Sequence, residues 1–218
     1  MTTKIGLIHS VIPAIAAVET AFAEIWPDAQ PVSLYDESLY IDLAPDRSLT
    51  PPIYERMERL LAYSADSGAN AILVTGSLFG PAVLEGKKGL NIPVLTSFDG
   101  LIDEALAAGN SFAAVATDPG TNRMLRAELE RCAAETGKTV SLSETHVPDA
   151  TALLNAGDRA AHDALVVEAA DAAGSCDAIL LGQFSMGPTR PLVAQRTGRP
   201  TLGAPEAAVR KLRHMFEA

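Results

Sequence analysis

Cysteine is nearly missing from this chain: Cys132 and Cys176 are the two in 218 residues. Their separation fits neither a C-x-x-C redox pair nor a zinc set, and His9, His146, His162 and His214 are too scattered to add metal-ligand spacing. Cys132 falls inside the helix-like "ELERCAAETGK" and Cys176 just precedes a strand, so both read as packing or surface thiols. Aromatic residues are scarce at 5%, against 48% hydrophobic residues with much Ala, Leu and Val, a balance suited to a helix-rich α/β protein. Basic residues are outnumbered 17 to 27, for a formal charge of −10. That argues against nucleic acid or an anionic membrane as a partner, since both require a basic surface. No apolar run approaches the roughly 18 residues of a membrane span, and no basic-then-apolar leader opens the chain, so a cytoplasmic location is expected.

What is present alternates between strand and helix. "KIGLIHS" is a short apolar run ending in polar residues, as in a buried parallel strand, and "VIPAIAAVETAFAEIW" follows with helical period. "PVSLYD" reads as a second strand. "ESLYIDLAPDRSLTPP" (37–52) has no clear period, and a loop this long in a compact domain is expected to be a functional lid or partly disordered. Thr50 before two prolines marks a helix start, with Ile53, Met57, Leu60 and Leu61 at helical spacing. "NAILVTG" and "IPVLTS" are further strands.

The second half repeats this plan. "AILVTGSLFGPA" (71–82) and "AILLGQFSMGPT" (178–189) share an apolar strand, a turn and Gly-Pro; Ala71 matches Ala178, Gly80 Gly187 and Pro93 Pro200, all at one offset (178 − 71 = 107; 200 − 93 = 107). At that offset "KIGLIH" falls on "SFAAVA". A constant register over three strands points to internal duplication. The expected fold is α/β, with two pseudo-symmetric parallel-sheet domains facing one another across a cleft. The halves are 1–97 and 111–204, joined by a crossing helix at 98–110, with 205–218 a C-terminal helix packing back on the first half.

Parallel sheets bind ligands beyond the carboxyl ends of their strands, where helix N-termini present N–H groups. The duplication places Thr75-Gly76-Ser77 from one half opposite Gly182-Gln183-Phe184-Ser185 from the other. These hydroxyls and glycines suit a carboxylate. "VATDPGTNRML" adds Thr117 or Asp118 as an N-cap, Pro119 as an early helical residue and Thr121 in the first turn. His9-Ser10 ends the first strand, and a histidine there is a candidate acid or base, as well as a candidate structural residue. Asp36, Glu37 and Asp99 follow strands and could face the cleft or solvent. His146, in "SETHVPDA", matches Leu39 at the offset of 107 and should approach the cleft near Asp36. His162 and Asp163, in "GDRAAHDALVVEAA", are expected to be surface or capping residues.

Taken in order, "KIGLIHS", "ANAILVTGS", "IPVLTSFDGLIDEAL", "SFAAVATDPGT", "CDAILLGQFSMG" and "RPTLGAPEAAVRKL" resemble the aspartate/glutamate racemase superfamily over nearly the whole chain. That superfamily includes hydantoin and allantoin racemases, maleate isomerase and arylmalonate decarboxylase. The resemblance implies a two-domain α/β protein that needs no metal or organic cofactor, binds a small carboxylate and forms a homo-oligomer. It implies a cysteine from each half on opposite sides of the substrate α-carbon, one thiolate removing a proton and the other thiol returning one. In this chain those positions carry Gly76 and Gln183. Arylmalonate decarboxylase is similar at the first position, where it also has glycine. The binding residues carried over are Thr75, Ser77, Thr117 and Thr121, with Ser10, Phe184 and Ser185 beside them. Racemase- or isomerase-like chemistry would then need non-thiol groups: His9 first, partnered by Asp36, Asp99 or His146, with Gln183 orienting a polar substituent. A decarboxylase or lyase, or a carboxylate-binding protein without catalysis, are the alternatives.

Overall fold

A computed structural model describes residues 2–217. The first half runs β1 (Lys4–His9), α1 (Pro13–Ile25), β2 (Gln30–Tyr35), the short α2 (Ser38–Ile41), α3 (Pro51–Asp66), β3 (Ala71–Val74), α4 (Gly80–Gly86) and β4 (Val94–Leu95). Helix α5 (Asp99–Ala108) leads into β5 (Ser111–Ala116), α6 (Pro119–Glu135), β6 (Ser141–His146), α7 (Pro148–Asn155), α8 (Arg159–Asp171) and β7 (Ala178–Leu181). A 3-10 turn (Phe184–Thr189), α9 (Arg190–Thr197), β8 (Thr201–Gly203) and α10 (Ala204–Glu217) complete the chain. Two four-stranded parallel sheets result, ordered β2-β1-β3-β4 and β6-β5-β7-β8. Among the described residues, no helix is long and apolar enough to cross a membrane.

The patterns explain the layers. β1, β3, β5 and β7 are buried along almost their whole length, as central parallel strands covered on both faces must be. β2 and β6 lie at sheet edges and are exposed at four of their six positions, with the other two half-buried. Alternation splits the core. Leu7 and Leu73 of one sheet and Ala114 and Leu180 of the other enter a single inner cluster with Phe98, Phe112 and Leu125. Ile8, Ile72 and Val74 point outward to Met57 and Leu61, while Val115, Ile179 and Leu181 point outward to Val166 and Val193. The inner cluster therefore bonds the halves into one body, each fully buried Leu or Phe stabilising it by roughly 1.5–3 kcal/mol. Helix α10 packs against α1 and α5, with Trp26 and Phe216 rings 5.7 Å apart.

The pairing register carries the duplication: Ile5 pairs with Ala71 and Phe112 with Ala178, and 112 − 5 equals 178 − 71. One strand breaks it. His9 pairs with Tyr35 but Ala116 pairs with His146, so His146 corresponds to Tyr35 (146 − 35 = 111), not to Leu39. The cause is one extra helical turn: α6 has 17 residues where α1 has 13, and 17 − 13 = 4. His146 consequently ends an edge strand and is exposed.

Candidate active site

The strand ends of both sheets meet around a cavity of about 90 Å³. At ~10–15 Å³ per water this admits roughly six to nine water-sized groups, the scale of a small organic acid. Ser10 follows β1, Thr75 and Ser77 follow β3, Thr117 and Asp118 follow β5, and Gln183, Phe184 and Ser185 follow β7; all line the cavity, as does Thr121. The wall also takes in residues the sequence reading did not single out for it, among them Tyr40, Phe79, Thr151, Leu154 and Asn155.

Local chemistry sets each group. Asp118 has extended backbone and its Oδ1 accepts from the Gly120 N–H at 2.8 Å, so it, and not Thr117, caps α6. The cap brings the fully buried Thr121 into the first turn, where its hydroxyl lies 2.8 Å from that of Ser77. Two halves of the chain therefore meet through a pair of hydroxyls. Gln183 Oε1 accepts from the Thr117 N–H at 2.6 Å and from its hydroxyl at 3.2 Å, tying the end of β7 to the end of β5.

Segment 37–50 contains α2 and reaches one side of the cavity. Tyr40 of α2 lines the cavity and donates to Asp118 Oδ2 at 3.0 Å. Arg47 stands 4.7 Å over the Tyr40 ring and 4.0 Å from Asp118 Oδ2. Arg47 has φ 65°, a left-handed backbone that costs a residue with a Cβ on the order of 1 kcal/mol. Burial, then the Asp118 charge, raise the Tyr40 phenol above its ordinary range, so the phenol stays protonated. Asparagine and threonine from α7 (Asn155, Thr151) complete the polar wall. Among the described residues, no Lys or Arg lines it, so an anion would be held by N–H and hydroxyl dipoles.

The proposed acid–base residues are placed differently. His9 is fully buried behind the wall: Nδ1 is 2.9 Å from the Thr75 hydroxyl and Nε2 is 3.1 Å from that of Ser33. Burial lowers its pKa to about 4, leaving it neutral, and it does not line the cavity. His9 positions Thr75. Asp36 accepts from the Ser38 N–H at 3.0 Å just ahead of α2, and lies 4.0 Å from Arg56. Asp99 accepts from the Thr96 N–H at 2.6 Å and borders a separate depression with Lys87 and Lys211. Neither Asp36, Asp99 nor His146 reaches the cleft. Position 76 is closed by packing: a Cβ there would stand 2.5 Å from the Phe79 ring and 3.0 Å from Ser10 Oγ. Cys132 and Cys176 are both half-buried, away from the cavity.

His162 and Asp163 are neither surface nor capping residues. His162 is fully buried with Nδ1 2.7 Å from Asp163 Oδ1, and that carboxylate accepts from Thr189 at 2.6 Å. Arg159 donates to the Ser185 carbonyl at 3.0 Å, so α8 pins the turn that carries Phe184 and Ser185. Asp158 takes the cap instead.

The family model for Asp/Glu/hydantoin racemase matches residues 14–212. The chain belongs to this family. Solved structures with the same architecture include an allantoin racemase from Klebsiella pneumoniae, at TM-score 0.76 and 15% identity over 99% of this chain and 88% of that one. A glutamate racemase from Francisella tularensis in complex with D-glutamate gives TM-score 0.75 and 13% identity over 99% of this chain and 82% of that one. An unliganded arylmalonate decarboxylase gives 0.62 and 20% over 96% and 91%. No curated sequence matches significantly. At these identities the solved structures establish the fold, and the two-sheet architecture is that of the family's racemases.

Proposed function

We propose that this family member is a cofactor-independent enzyme that binds the carboxylate of a small organic acid and carries out isomerase- or racemase-like chemistry at the adjacent carbon. The Ser77–Thr121 contact carries the reading: hydroxyls from the two halves meet at 2.8 Å in the wall of one cavity. Beside them, Thr75 and Thr117 end the facing central strands, and the start of α6, whose Gly120 and Thr121 N–H groups are taken up by Asp118, adds the positive end of a 17-residue helix. These fixed dipoles suit the negative charge that grows on a carboxylate when its α-carbon loses a proton or carbon dioxide. The D-glutamate complex of the Francisella relative, and the allantoin racemase, suggest the size and class of compounds to try first.

Gly76, shut in by Phe79, and Gln183, bonded to Thr117, favour decarboxylation as a second reading. Neither position holds an acid or base, and decarboxylation requires delivery of one proton where racemisation requires its removal and return. Proton NMR in D₂O with amino acids, hydantoins, hydroxy acids and substituted malonates tests both. Loss of an α-proton signal would report the carbanion step that the first requires, and a decarboxylated product would support the second. Binding without either change would reduce the protein to a carboxylate receptor.

A further inference from the structure

Among the described residues, the ionisable side chains lining the cleft are two, Tyr40 and Asp118, and they form one unit through their 3.0 Å hydrogen bond. The rest of the wall is hydroxyl, amide or apolar. Asp118 is the member able to accept a proton. A carboxylate offers about four acceptor positions. Here the Gly120 N–H takes one on Oδ1 and the Tyr40 hydroxyl one on Oδ2, which leaves capacity for a third partner. Its side chain is 11% exposed, so a bound acid would complete its desolvation. Arg47, 4.0 Å away and over the Tyr40 ring, balances its charge. The partners also hold it still: the helix cap fixes one oxygen and α2 the other.

Resting on the reading of the cleft as a site of carbanion chemistry, we infer that Asp118 is its proton-transfer residue and that it serves one face of the substrate. An Asp118 oxygen takes the α-proton. The C–H electron pair moves into the substrate carboxylate, giving an enediolate held by the hydroxyls of Thr75, Ser77 and Thr121, and Asp118 becomes a carboxylic acid. The same acid returns a proton, or a deuteron after exchange with solvent, to the carbon it left. Nothing is oxidised or reduced, and among the described residues no second carboxylate or imidazole lines the wall to supply the opposite face. The α-hydrogen should therefore exchange with retention of configuration.

The experiment incubates the protein in D₂O with single enantiomers of glutamate, aspartate, malate and lactate, reading α-proton loss by NMR and configuration by chiral chromatography. Asp118→Asn keeps a side chain that caps helices well but has no base, and Asp118→Ser is a second capping variant. The expected result is exchange with retention in the unaltered protein, and a fall of roughly 10²–10⁴-fold in both variants with probe line broadening preserved. Exchange with inversion would overturn the inference while leaving carbanion chemistry in place. So would either folded variant exchanging within tenfold of the unaltered protein. Binding without exchange overturns both the inference and the catalytic reading; absence of binding overturns the carboxylate site as well. The stereochemical arm needs no variant.

Discussion

The Tyr40 hydroxyl donates to Asp118 at 3.0 Å, and this bond fastens a loop of the first half to a helix cap of the second. Tyr40→Phe should cost about 1.5 kcal/mol, where the ranges for neutral and charge-assisted bonds meet, and loosen segment 37–50. Hydrogen exchange read by mass spectrometry would show faster labelling of that segment while β1 and β5 stay protected. Unchanged protection of 37–50 would mean that Arg47 and packing alone hold it.

The same bond has a spectroscopic signature. Burial and Asp118 both raise the Tyr40 phenol pKa. Neutralising one cause by Asp118→Asn should bring the phenol's titration, isolated as the difference from Tyr40→Phe in ultraviolet absorbance, to lower pH.

His9 sets an acid-side dependence. Its folded pKa, lowered to about 4, lies below the ordinary 6.5. A depressed histidine contributes stability that is whole above pH 6.5 and is lost as pH falls through 4, up to about 3 kcal/mol at ~1.4 kcal/mol per unit. Urea midpoints should fall across that window, and His9→Gln should flatten the slope while lowering stability at pH 8.

Glu128 acts in the opposite direction. Burial first, then the Asp99 charge, push its pKa up to about 7, and its buried Oε1 has no hydrogen-bond partner. A raised carboxyl contributes stability that is whole below its ordinary 4.5 and is lost as pH rises through 7. Glu128→Gln should therefore gain stability relative to the unaltered protein at pH 8.5 more than at pH 5, seen as a widening difference in Tm.

Position 76 tests packing. Gly76→Cys must displace the Phe79 ring, which a Cβ would approach to 2.5 Å, at a cost of about 1–3 kcal/mol. Adding Phe79→Leu should recover part of that loss, a non-additivity measurable by denaturant unfolding. Strict additivity would show that the ring moves aside freely.

Much of the fold was legible because the signals are local. An apolar run buried on both faces reads as a central strand whatever surrounds it, as "KIGLIH" and "AILL" do, and Thr50-Pro51-Pro52 starts a helix through backbone geometry alone. The constant offset of 107 made strands β1, β3, β4 and their counterparts recognisable, and with them Thr75, Ser77, Thr117 and Gln183 at the strand ends. It failed at His146, since one extra turn in α6 shifts that residue by four positions, and helix length is weakly encoded at its C-terminal end.

The sequence by itself determined the layers, the strand ends and the hydroxyls that meet there, because hydrophobic period, caps and turns act over a few residues. Only the tertiary structure decided which ionisable groups face the cleft. His9 and Thr75 lie 66 residues apart and Tyr40 and Asp118 lie 78 apart, yet packing within the first half turns His9 into a buried support, and packing of that half on the other brings Tyr40 onto the wall. A side chain's direction at a strand end depends on what closes over it, and that is a property of the assembled core rather than of any short stretch of chain.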